Sequence, residues 1–86
     1  MKKIALITGA TAGIGKATAV ELSENNYDLI ITGRRKKLLE QMKTKIEKNT
    51  ESKVLVCDFD IRNKKVVDQK IQNLPENWKK IDVLVN

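Results

Sequence analysis

Four short runs of branched apolar residues, separated by stretches of helical periodicity, restrict this chain more than any other feature. The runs are Ile4-Ala5-Leu6-Ile7, Leu29-Ile30-Ile31, Val54-Leu55-Val56-Cys57 and Ile81-Asp82-Val83-Leu84-Val85. The first three do not alternate with polar residues. Unbroken runs of this kind suit strands buried on both faces, as in a parallel sheet under helices. Between the runs lie three helical stretches. One begins near Ile14 and carries Ala17, Thr18 and Leu22 on one side. A second carries Leu38, Leu39, Met42 and Ile46, and a third carries Val66, Val67, Ile71 and Leu74 before Pro75 ends it. The order β-α-β-α-β-α-β predicts an α/β fold with a parallel sheet and right-handed crossovers. No repeat, low-complexity stretch or linker interrupts it, so residues 1–86 read as part of one domain.

The bulk properties exclude several function classes. Apolar residues make up 41% and charged residues 33% of the chain, as in ordinary globular proteins. The net charge is +6, but the lysines are scattered. Scattered lysines read as solvated helix surface, with nucleic-acid binding as the competing reading. Tyr27, Phe59 and Trp78 are the only aromatics and form no base-stacking cluster, which weighs against nucleic acid. The chain has no histidine, which removes most metal-site and triad chemistry. The lone Cys57 cannot form an internal disulfide and reads as a small core residue. A reducing, cytoplasmic setting is the default expectation. The first apolar run is too short for a signal peptide or a membrane span.

The first strand runs into Thr8-Gly9-Ala10-Thr11-Ala12-Gly13-Ile14-Gly15, where a helix begins. Three of the chain's four glycines fall within these positions. Glycines here allow a sharp turn and let backbone N–H groups approach a pyrophosphate, which the helix N-terminus also attracts. A P-loop is excluded: residue 10 is Ala10 rather than glycine, and Ala17 follows Lys16 where a hydroxyl is needed. The Gly-x-Gly-x-x-Gly spacing is also absent. What stands is Gly-x-x-x-Gly-x-Gly.

That spacing, with Leu6-Ile7-Thr8 leading in and Lys16-Ala17-Thr18-Ala19 leading out, resembles the cofactor turn of classical short-chain dehydrogenases/reductases. Asp82-Val83-Leu84-Val85-Asn86 resembles the strand entering that family's Asn-Asn-Ala-Gly motif, of which the chain holds the first asparagine. The resemblance covers the whole chain but only the N-terminal part of a family member. It implies a Rossmann-like sheet of order 3-2-1-4 with helices on both faces, two on one and one on the other. The cofactor would sit at the switch point between strands one and four.

Carried over by position, Gly9, Gly13, Ile14 and Gly15 would meet the pyrophosphate. Thr11 would offer a hydroxyl or backbone group to phosphate or ribose, or simply face solvent in the turn. The end of the second strand, Thr32-Gly33-Arg34-Arg35, implies the cofactor type. Gly33 stands where an acidic residue would bind the ribose hydroxyls and repel a 2′-phosphate. Arg34, and to a lesser degree Arg35, would instead bind that phosphate, implying preference for NADP(H) over NAD(H). The alternative, that both arginines merely open a helix, conflicts with the positive end of the helix dipole. Asp60 and Ile61 match the segment that meets the adenine, with Asp58 ranked second. Asp60 as a helix N-cap is the competing role, which Asn63 suits better. Asn86 would lie along the adenosine side.

The family's catalytic tyrosine and lysine, spaced Tyr-x-x-x-Lys, have no counterpart. The only tyrosine is Tyr27, and Ile31 stands four residues on. No catalytic residue is assigned, and these 86 residues alone are expected to be inactive. The complete parent would move hydride between NADP(H) and a small alcohol or carbonyl compound, with hydroxy acids among the candidates. A non-enzymatic nucleotide-binding module is the alternative, and a basic nucleic-acid binder the third reading. Self-association through an uncovered sheet face or edge is also expected.

Overall fold

The computed structural model describes residues 2–11, 13–57 and 64–85. Four strands are present: β1 (Lys3–Ile7), β2 (Tyr27–Thr32), β3 (Val54–Cys57) and β4 (Val83–Val85). They alternate with three helices, α1 (Gly13–Glu24), α2 (Lys36–Asn49) and α3 (Lys64–Gln72), and a 3-10 turn at Glu76–Trp78 precedes β4. All pairings are parallel and the order is β3-β2-β1-β4, as the resemblance implied. Ile7 lies opposite both Ile31 of β2 and Val85 of β4, so the three strands end level with one another.

The unbroken apolar runs are explained by two cores, one on each face of the sheet. Ala5, Ile7, Leu29, Ile31 and Val54 pack with Ala19 of α1 and with Leu39, Met42 and Ile46 of α2. Ile4, Leu6 and Ile30 face the other way, against Leu74, Ile71, Trp78 and Ile81. Adjacent residues of β1 and β2 therefore serve opposite cores, as the period-two geometry of a strand requires.

Local details differ from the sequence reading. In α1 the buried residues are Ala19 and Ser23, whereas Ala17 is exposed. Gly15, Ala19 and Ser23 form an i, i+4 line of small residues, which lets α1 approach the sheet more closely than a leucine face would. Asn26 ends this helix in the left-handed conformation, at φ 67. Leu38 is exposed beside the buried Leu39. β2 starts at Tyr27, two residues ahead of the apolar run, and α3 ends at Gln72, ahead of Pro75.

The strand beginnings are held by side chains from distant parts of the chain. Glu47 Oε2 accepts from Val54 N at 2.9 Å, and Asp28 Oδ1 accepts from Lys53 N at 2.9 Å. Buried Ser52 donates to Tyr27 O at 2.7 Å. These bonds tie the β2–β3 junction at the edge of the sheet opposite the glycine turn. No helix among the described residues is long and apolar enough to cross a membrane.

Candidate cofactor site at the strand ends

The glycine turn leaves the C-terminal end of β1 and is anchored on both sides. Ala10 N donates to Thr32 O at 3.4 Å, joining the turn to the tip of β2. Thr8 N donates to Val85 O at 2.9 Å, and Thr8 Oγ1 reaches the same carbonyl at 3.2 Å, joining it to β4. The turn therefore bridges the point where the strand order reverses. Ala10 is fully buried within the α1–α2 core, an anchor that its alanine side chain alone did not advertise.

The three glycines are needed for different reasons. Gly9 and Gly13 have φ of 63 and 56, in the left-handed region, with nothing near the position a Cβ would take. Gly15 has ordinary φ, but a Cβ there would lie 2.5 Å from the Gly9 carbonyl oxygen and 3.3 Å from that of Thr8. Backbone packs against backbone at this point, and only glycine fits. The result brings the first turn of α1 directly over the end of β1. That turn contains no acidic residue to meet its positive dipole end and the first N–H groups, which have no partner within the helix.

Ile14, in the same turn, is 84% exposed. Thr11 is half-buried.

At the end of β2, two residues beyond the Ile7–Ile31 pair, Gly33 stands beside the turn. A Cβ on Gly33 would meet only the Leu39 side chain, at 3.6 Å, an ordinary contact. A Cβ is thus tolerated at this position, so packing does not itself require glycine here. Arg34 and Arg35 are exposed, and no carboxylate among the described residues pairs with them. Arg35 is the N-cap of α2 and makes no side-chain cap bond, and the first turn of α2 holds no acid. Four consecutive cations, Arg34-Arg35-Lys36-Lys37, crowd a helix start that disfavours positive charge. Among the described residues no carboxylate offsets this run of positive charge.

Of the residues expected at the site, Gly9, Thr11, Gly13, Ile14, Gly15, Arg34 and Arg35 lie at this one edge of the sheet. Asp60, Ile61 and Asn86, with the second-ranked Asp58, lie outside the described residues. Tyr27 starts β2 and so stands at the opposite edge, a full strand of about 16 Å away. No group of three or more His, Cys, Asp or Glu side chains among the described residues could hold a metal.

A family model described as short chain dehydrogenase matches residues 3–86. The chain belongs to this short-chain dehydrogenase family. It is 41% identical over 83 residues to the NADP-dependent 3-hydroxy acid dehydrogenase YdfG of Salmonella typhi, covering 96% of this chain and 32% of that protein. It is 36% identical to sulfoacetaldehyde reductase 2 of Chromohalobacter salexigens, covering 100% of this chain and 33% of that protein. The chain spans about a third of the length of these curated relatives. Among solved structures, serine dehydrogenase from Escherichia coli superposes with a TM-score of 0.83 at 32% identity, over 94% of this chain and 36% of that one. L-Sorbose reductase from Gluconobacter frateurii, complexed with NADPH and L-sorbose, gives 0.89 at 25% identity, over 99% and 32%.

Proposed function

We propose that this chain is the NADP(H)-binding segment of a short-chain oxidoreductase. The observation that carries the reading is the pairing at adjacent strand ends of an anion-accepting glycine turn with Arg34 beside a carboxylate-free Gly33. Gly9, Gly13, Ile14 and Gly15 would hold the pyrophosphate against the start of α1. Thr11 would meet the phosphate or ribose, and Arg34, assisted by Arg35, would take the 2′-phosphate. Asp60, Ile61 and Asn86 keep the adenosine contacts that the family pattern assigns them. The names of YdfG and the sorbose reductase complex support NADP(H) over NAD(H).

A bound nicotinamide cofactor supplies or accepts hydride. In a complete family member the partner would be a small alcohol or carbonyl compound, and the relatives' names favour a hydroxy acid or similar substrate. This chain's own residues would bind and orient the cofactor, and no proton exchange with substrate is assigned to any of them. Calorimetric titration with NADP+ and NAD+ tests the reading: NADP+ should bind at least tenfold more tightly. Equal affinities, or tighter NAD+ binding, would overturn the assignment.

A further inference from the structure

Among the described turn residues, 9–11 and 13–15, only Ala10 is buried. Its methyl group has no exposed surface and belongs to the core that the sheet shares with α1 and α2. Gly9 before it is exposed, and Thr11 after it is half-buried. The turn is thus pinned to the core at this point. The backbone is pinned there too: Ala10 N donates to the carbonyl of Thr32, the last residue of β2. At 3.4 Å that bond is long, so close packing of the methyl has to supply part of the hold.

The same core supports the other half of the site. Leu39, fully buried in it, lies 3.6 Å from the position a Gly33 Cβ would take. Gly33 follows Thr32 and precedes Arg34. Ala10 therefore joins the glycine turn to the strand tip that presents Arg34, by a backbone bond and through one packed cluster. The bonds from Thr8 to Val85 tie the turn to β4, on the other side.

NADP(H) carries two anionic groups, a pyrophosphate and a 2′-phosphate, on one ribose. A ligand with two charged groups binds best to receptors already standing at the matching separation, because adjusting them on binding costs affinity. We infer that Ala10 is a positioning residue that sets the span between the pyrophosphate turn and the 2′-phosphate site. The inference rests on the proposed NADP(H) function and deepens it: Arg34 supplies the charge, and Ala10 supplies the distance. NAD+ engages only the first of these anion receptors and adenosine 2′-monophosphate only the second, so both are less sensitive to the span.

The test compares the unmodified chain, Ala10→Gly, Arg34→Ala and the double variant, all well below their thermal midpoints. Calorimetry gives the dinucleotide affinities, and chemical-shift titration gives that of adenosine 2′-monophosphate. Ala10→Gly should weaken NADP+ by about five- to tenfold, NAD+ by less than about threefold and the monophosphate by less than about twofold. In the Arg34→Ala background the same substitution should weaken NADP+ no more than NAD+. Amide hydrogen exchange of the unmodified chain needs no variant, and the Ala10 N–H should be protected without ligand. An unchanged NADP+ preference in Ala10→Gly overturns the inference. So does an equal loss for all three ligands, which a merely structural role would give, a loss that persists undiminished without Arg34, or an unprotected Ala10 amide. A folded, unmodified chain that binds none of the three probes, or prefers NAD+, overturns the NADP(H) proposal itself, and this inference with it.

Discussion

Asp82 and Ile4 exchange two hydrogen bonds: Asp82 N donates to Ile4 O at 2.8 Å, and Ile4 N donates to Asp82 Oδ2 at 2.9 Å. The carboxylate supplies an acceptor that the short β4 does not. β4 has only three residues, so this clamp is a sizeable part of what holds it beside β1. Asp82→Ala should destabilise the chain by about 1 kcal/mol, lowering the thermal midpoint by about 4–8 °C. Asp82→Asn, which keeps an acceptor, should lose less. Urea melts of the three proteins check the order, and an alanine variant as stable as the unmodified chain would show that the clamp contributes nothing.

The glycines should separate by mechanism. Gly33→Ala meets only a side chain at ordinary contact distance and should be close to neutral. Gly9→Ala and Gly13→Ala force an alanine into the left-handed region and should each cost about 1–2 kcal/mol. Gly15→Ala should cost the most, because its Cβ would strike the Gly9 carbonyl and one of the two segments must move. Denaturant midpoints give the ranking. A Gly15→Ala chain as stable as Gly33→Ala would contradict the close approach of α1 to the turn.

These glycines also mark how far the sequence could be read. The apolar runs between helical stretches were enough for a parallel sheet and the glycine spacing for the location of the turn, while the strand order rested on the family resemblance that this spacing carries. Spacing could not say that Gly9 and Gly13 are required for φ while Gly15 is required for room. In α1 the sequence offered Ala17, Thr18 and Leu22 as the inner face; Leu22 does pack half-buried against the core, but Ala17 is exposed and the buried residues are Ala19 and Ser23. Burial by alanine and serine depends on how closely the helix sits, which no periodicity encodes. The clamp between Ile4 and Asp82 joins residues 78 apart in the chain, and nothing local announces it. The Thr32 hydroxyl, fully buried and without a hydrogen-bond partner, was equally hidden, because a threonine in an apolar strand looks ordinary until its surroundings are known.

Cofactor choice should rest on residues 33 and 34. A charge-assisted phosphate contact contributes roughly 1.5–3 kcal/mol, about ten- to over a hundredfold in affinity. Arg34→Ala should lose most of the preference for NADP+ and leave NAD+ affinity nearly unchanged. Gly33→Asp, whose Cβ would make only an ordinary contact with Leu39, should repel the 2′-phosphate and offer the ribose hydroxyls an acceptor. The NADP+ interaction should weaken with added salt in the unmodified chain and much less in Arg34→Ala. Calorimetry at two ionic strengths measures all of this. Equal NADP+ affinity before and after Arg34→Ala would refute the role of that side chain.

A polypeptide of these 86 residues should not turn over NADPH with any carbonyl substrate. Reduction of a carbonyl requires a proton for the developing alkoxide. The only tyrosine, Tyr27, stands at the edge of the sheet opposite the glycine turn. Tyr27→Phe should accordingly leave cofactor affinity unchanged. Measurable turnover by the pure chain, followed at the nicotinamide absorbance, would overturn the expectation.

Self-association should centre on β4. Among the described residues this strand pairs with β1 alone, and its other edge is open. Val83 and Val85 turn towards the α1–α2 core, which they pack against while half-buried. Leu84, pointing to the other face, is 60% exposed. An open edge beside an uncovered leucine is a template for pairing with a second chain. A lysine on such a strand discourages pairing without removing any contact that holds the chain together. Leu84→Lys should therefore lower the weight-average mass seen in sedimentation equilibrium at a given concentration. Far-ultraviolet circular dichroism should be unchanged, since Leu84 contributes little to either core. An unmodified chain that remains monomeric across a wide concentration range would refute self-association. An associating chain that Leu84→Lys leaves unaffected would move the interface elsewhere, away from β4.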